Sequence, residues 1–165
     1  MSELQKSSFN AVFDANSRIL ILGSLPGDAS LNAGHYYAHP RNAFWHIISQ
    51  LIAVDLTQRP FAERYTLIKQ HGIALWDVVQ QASRVGSLDA AIQTPQFNPL
   101  DAWCRAQAQL QLVAFNGQAA AKYGSKLIPG YIEQVVLPSS SPAYTLNKSH
   151  KTKAWLTALS PYLKT

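Results

Sequence analysis

Four short apolar runs, Arg18 to Leu22, Ile73 to Val79, Leu110 to Phe115 and Gln134 to Leu137, each end at turn-forming or helix-breaking residues. Their apolar residues are continuous rather than alternating, as in strands covered on both faces, since a half-solvated strand would alternate with period two. Between the runs lie apolar residues at helical spacing. Phe44, Ile47, Ile48 and Leu51 share one helix face, and Phe61, Tyr65, Leu67 and Ile68 another, which His71-Gly72 stops. Asn98-Pro99 predicts an N-cap and first turn for a helix through Trp103, and further helices are expected over Gly117 to Tyr123 and Thr152 to Leu159. Alternating strand and helix implies an α/β fold, a three-layer α/β/α sandwich around a mostly parallel four-stranded sheet. The 165 residues, 47% of them hydrophobic, suit a single domain spanning residues 1–165 with a substantial core.

Fourteen basic residues against nine acidic ones give a net charge of +5, the sign expected of a protein that meets a polyanion such as nucleic acid. Cys104 is the only cysteine, which excludes an intrachain disulfide and any all-cysteine metal site and suggests a reducing, cytoplasmic setting. No stretch approaches the roughly 18 apolar residues of a membrane span, and the start, MSELQKSSFNAVF, lacks a basic segment followed by an apolar run. Neither secretion nor membrane insertion is expected.

The first run ends in GSLPG, Gly23 to Gly27, where two glycines and a proline allow a sharp turn and a close approach of backbone N–H groups to a ligand. No GK[ST] follows and no GxGxxG is present, so this is neither a Walker loop nor a dinucleotide fingerprint. YYAHPRNAFWHI, Tyr36 to Ile47, comes next. Asn42 stands where a helix should start, so it is either a capping residue or a carboxamide that orients a water or meets a base edge. Tyr36 and Tyr37 are either packing residues or a stacking platform. His35, His39 and His46 raise the question of a metal, but Pro40 interrupts the helix that the spacing of His35 and His39 would need, and no carboxylate stands nearby. No metal or other cofactor is expected. Asn116 ends the third run in FNG, and LPSSSPAY follows the fourth, with the hydroxyls of Ser139, Ser140 and Ser141 as candidate phosphate ligands. Lys148, His150, Lys151 and Lys153 then cluster within six residues, as a phosphate-binding end or a solvated helix start.

In this order, GSLPG with YYAHPRNAFW downstream, FNG, then LPSSSPA, the motifs resemble the uracil-DNA glycosylase superfamily, most closely its hypoxanthine-DNA (deoxyinosine) branch. The resemblance runs from Arg18 to Lys153. It implies a monofunctional glycosylase that flips a deaminated base, hypoxanthine foremost, out of double-stranded DNA and hydrolyses its N-glycosidic bond as a monomer. Many superfamily members carry Asp or Asn immediately before the proline of the first motif; this chain has Leu25, which cannot accept a hydrogen bond. The deoxyinosine branch similarly lacks that residue, and the resemblance moves the catalytic role to Asn42, leaving Asp28 as the nearest carboxylate. It also implies Tyr37 stacked on the base, base contacts from Ser24, Leu25, Pro26, Gly27 and Asn116, and a DNA grip by Ser139, Ser140, Ser141, Pro142, Tyr144, Lys148 and Lys151. A mismatch-specific uracil glycosylase would share these motifs. A non-catalytic module binding a nucleotide or phosphate through GSLPG would need neither the basic tail nor the LPSSSPA loop.

Overall fold

The computed structural model describes residues 4–84, 87, 89 and 92–164. Its centre is a parallel four-stranded sheet. In chain order the strands are β2 (Ile19–Gly23), β3 (Ile73–Asp77), β6 (Leu112–Asn116) and β7 (Glu133–Leu137), arranged spatially as β3-β2-β6-β7. All four fall on the apolar runs. In β2, Ile19 and Ile21 enter one buried cluster and Leu20 and Leu22 the other, so both faces are dry and no polar residue interrupts the run.

Helices α2 (Phe44–Ile52), α3 (Phe61–Gln70) and α6 (Lys148–Leu159) supply Phe44, Ile48, Ile68 and Trp155 to the first cluster. Helices α4 (Leu100–Ala106) and α5 (Gln118–Gly124) cover the opposite face with Leu100, Cys104, Ala120 and Ala121. The result is the expected α/β/α sandwich. Burial pushes the Cys104 thiol up to about 12, so this lone cysteine is an unreactive core residue.

Two features lie outside the expectations. A second, antiparallel sheet, β1-β4-β5, is built from β1 (Leu4–Ser7), β4 (Val79–Arg84) and β5 (Gln93–Phe97). The run Ile73 to Val79 therefore does not form one strand. The Val78 and Val79 amides turn back to the carbonyls of Gly23 (2.8 Å) and Ser24 (2.9 Å), and the chain leaves one sheet for the other at that bend. A short helix, α1 (Asp28–Ala33), also follows the first Gly/Pro turn directly.

Two helix starts also differ. Asn98 does not cap α4 through its side chain; its buried carboxamide donates from Nδ2 to the Asp77 carbonyl (2.7 Å) and to Ser8 Oγ (3.1 Å), tying the sheets together. Helix α6 begins four residues earlier than Thr152, because Asn147 Oδ1 accepts from the Ser149 amide (2.8 Å) and caps it there.

Candidate active site

The chain passes from β2 to β3 on one side of the sheet and then crosses to β6 on the other side of β2. Ligands of open α/β sheets bind where the direction of winding reverses, outside the carboxyl ends of the strands. A cavity of about 320 Å³ opens there, within the size range of small-ligand sites. The turn after β2, the end of β3, the end of β6 and the loop after β7 all contribute to its wall.

The turn supplies Ser24, Leu25, Pro26 and Gly27. Leu25 is buried against Val79, Ala82 and Ile92, which anchors the turn on the second sheet. Ser24 Oγ donates to Asp89 Oδ1, and the Asp28 amide to Ser87 Oγ (2.8 Å). Asp28 itself is ion-paired with Lys6 and is not part of the cavity wall.

Residues 36–43 are held by side chains from three directions. The Tyr36 amide donates to Tyr65 Oη (2.9 Å), the Ala38 amide to Ser30 Oγ (3.0 Å), and Trp45 Nε1 to the Tyr36 carbonyl (3.1 Å). Tyr37 adopts φ 54°, an unusual conformation for a bulky residue and one that clusters at functional sites. Its ring stacks on Phe44 with centroids 4.0 Å apart and also lines the cavity. Burial, reinforced by the nearby Asp77 carboxylate, raises the Tyr37 phenol well above its ordinary range and keeps it neutral. Tyr36, by contrast, is a core residue, packed edge-on against Phe9.

Asn42 lines the cavity immediately before α2. Its Oδ1 accepts from the Phe44 amide (3.0 Å), so it shapes the helix start as an N-cap would. An amide oxygen has a second lone pair and the side chain two N–H donors, so this bond orients the carboxamide without exhausting it.

Asn116 and Ser140 bond to each other reciprocally, and the Ser140 carbonyl accepts from the Ala43 amide (3.0 Å). Ser139, Ser141 and Pro142 stand on the same loop at the cavity mouth, while Tyr144 is exposed beyond it. Lys148 is exposed in the first turn of α6. Lys151 turns the other way: it is buried, and Nζ donates to the carbonyls of Ser141 (3.1 Å) and Tyr144 (2.7 Å).

The histidines go to separate duties. His35 stacks on Phe61, with centroids 4.3 Å apart, and His39 Nδ1 accepts from the Arg41 amide (3.0 Å). Among the described residues no group of three or more His, Cys, Asp or Glu side chains is placed to hold a metal ion.

The family model described as the uracil DNA glycosylase superfamily matches residues 11–164. The chain belongs to the uracil DNA glycosylase superfamily. It is 36% identical over 150 residues to a protein of Methanosarcina acetivorans named hypoxanthine DNA glycosylase, covering 91% of this chain and 95% of that one. A Methanosarcina barkeri protein of the same name is 35% identical over 155 residues, covering 94% and 98%. The solution NMR structure of a Methanosarcina acetivorans protein provisionally assigned as a uracil DNA glycosylase superposes with a TM-score of 0.81 at 35% identity, covering 93% of this chain and 98% of that one.

The sequence motifs left parts of this glycosylase's site unnamed. Asp77 ends β3 inside the cavity; its sign in the sequence was an acid set within an otherwise apolar run. Beside the cavity runs a broader groove with Arg41, His46, Arg64 and Lys148 along it. Arg64 is anchored there over Phe61, 4.1 Å from its ring centroid, and its guanidinium donates to the Arg59 and Thr57 carbonyls. Only the fold brings Arg41, Arg64 and Lys148 to one side of the cavity mouth.

Proposed function

We propose that this DNA glycosylase acts on double-stranded DNA, releasing hypoxanthine by hydrolysis as a cytoplasmic monomer that needs no metal. The observation that carries this reading is the convergence of four strand-end segments on one cavity that holds an aromatic face, oriented carboxamide and backbone groups and, among the described residues, no lysine. Hydrolysis of an N-glycosidic bond passes through an oxocarbenium-like sugar and a departing base anion, so a positioned water and fixed dipoles can serve without a covalent nucleophile. Asn42 holds the water against the sugar, its carboxamide fixed by the bond to the Phe44 amide. Tyr37 stacks on the extruded base with Phe44 behind it. Backbone groups of Ser24 to Gly27 meet the base edge.

Extrusion costs a few kcal/mol, least at a mispair, and the loop Ser139 to Tyr144 offsets it by filling the vacated stack. Lys148, with Arg41 and Arg64 in the adjoining groove, holds the flanking phosphates. The two Methanosarcina proteins of the same superfamily, each matched over more than nine-tenths of this chain, support hypoxanthine as the base.

The test is release of free base from duplexes carrying hypoxanthine, xanthine or uracil, before and after exhaustive EDTA treatment. Hypoxanthine released fastest, with an EDTA-insensitive rate, is expected. Faster release of uracil would make this a uracil enzyme, and activity that EDTA abolishes and zinc restores would overturn the metal-free mechanism.

A further inference from the structure

Asp77 is 3% exposed, ends β3 and lines the cavity. Its main chain is fixed from two sides, by pairing with Gly23 across the sheet and by the bond from Asn98 Nδ2 to its carbonyl. A Cβ on residue 23 would lie 2.7 Å from Asp77 Oδ1 and 3.2 Å from Tyr37 Oη. The missing side chain at Gly23 is therefore what gives the carboxylate its place, beside the Tyr37 phenol and beneath the Gly/Pro turn. Burying a carboxylate is costly, and Asn would occupy the same volume without the charge. An ionised carboxylate only accepts hydrogen bonds, so a base placed against it must present N–H.

We infer that Asp77 selects the base, favouring hypoxanthine over uracil and xanthine; this rests on the glycosylase function proposed above. In hypoxanthine the N1–H lies between the O6 carbonyl and C2–H. One carboxylate oxygen takes N1–H while the other lies against C2–H, a weak donor, and O6 is avoided. In uracil the N3–H lies between two carbonyls, so the second carboxylate oxygen must face one of them. The N1–H of xanthine is flanked in the same way, and adenine presents a lone pair at N1. Guanine offers two adjacent N–H donors, but extracting it from a three-bond pair with cytosine costs more than extracting hypoxanthine from a mispair. An asparagine at position 77 would instead accept from the N–H and donate to the adjacent carbonyl, which suits uracil and hypoxanthine alike and so removes the discrimination.

Single-turnover release rates from duplexes carrying hypoxanthine, xanthine or uracil opposite one common base, for wild type and Asp77→Asn, test this. The hypoxanthine-to-uracil rate ratio of the wild type should fall about tenfold or more in Asp77→Asn. A ratio unchanged within about twofold, with both rates falling together, would mean that Asp77 only supports the fold. If Asp77→Asn does not fold, 1-methylhypoxanthine tests the same contact in the wild type, because methylation removes the N1 donor. Release as fast as that of hypoxanthine overturns the proposal, and release at least tenfold slower supports it. A wild type that prefers uracil sinks the role of Asp77 and the choice of hypoxanthine as the base, and leaves the glycosylase mechanism standing. A wild type that releases no base from any duplex sinks the glycosylase mechanism itself.

Discussion

Asn116 and Ser140 exchange two hydrogen bonds, from Asn116 Nδ2 to Ser140 Oγ (2.9 Å) and from the Ser140 amide to Asn116 Oδ1 (2.9 Å). The pair joins the end of β6 to the loop after β7, and the Ser140 carbonyl carries the link on to Ala43, next to Asn42. Asn116 thus acts as a strut that sets the distance between Asn42 and the loop after β7.

A strut and a base contact differ in what a mutant loses. Asn116→Ala should cost about 1–3 kcal/mol of stability, because it leaves the buried Ser140 hydroxyl and amide unpaired, whereas Ser140→Ala keeps the backbone bond to Asn116 Oδ1 and should cost less. The double mutant should cost less than the sum, with a coupling of about 0.5–3 kcal/mol. Urea unfolding of the four proteins measures this. Unchanged stability in Asn116→Ala, with loss confined to base release, would make Asn116 a base reader instead.

Gly23→Ala tests the closeness of the site. The added methyl would collide with Asp77 Oδ1 at 2.7 Å, so the carboxylate or the strand must move. Base release should slow by about tenfold or more, since small displacements of positioning groups are expensive in rate. Gly130→Ala is the control, because its Cβ would meet nothing within 4 Å. Equal rates in the two variants would show that the Gly23 contact does not shape the pocket.

Asn42 combines a cap and a carboxamide, and the two separate by substitution. Asn42→Ala should lower the single-turnover rate about 100-fold or more while duplex affinity stays nearly intact, as loss of an interaction made mainly in the transition state does. Asn42→Ser and Asn42→Asp cap about equally well and should preserve melting temperature. A fully active Asn42→Ser enzyme would reduce Asn42 to a cap.

The central sheet was legible because both faces of β2 are dry, which leaves a continuous apolar run in the sequence. The second sheet was not. Gln80 and Gln81 break any alternation in β4, Pro95 sits inside β5, and the pairing of β4 with β1 joins residues more than 70 positions apart. Asp77 was hidden by reading Ile73 to Val79 as one strand, when the bend at Val78 makes it a strand end. Lys151 was hidden by the helix start. Once Asn147 caps α6, Lys151, Trp155 and Leu159 fall at four-residue spacing on one buried face, and the lysine must point at the loop rather than at solvent.

That orientation separates two lysines that the sequence groups together. Lys148 is exposed, as is Arg41 on the same groove, whereas the Lys151 ammonium is held by the Ser141 and Tyr144 carbonyls and lies 5.2 Å from the Tyr144 ring centroid. Burial also lowers the Lys151 pKa, as expected for an ammonium drawn out of water. Phosphate contacts release counterions, so affinity should fall with salt at a log–log slope of about −0.9 per neutralised phosphate. Replacing Lys148 and Arg41 together by Ala should flatten that slope by about one to two units. Lys151→Ala should leave the slope unchanged within error, but it frees residues 141–144 and should speed proteolytic cleavage there and slow release from well-paired duplexes more than from mismatched ones. A slope that flattens by a full unit in Lys151→Ala would show that its ammonium leaves the loop for the backbone when DNA binds.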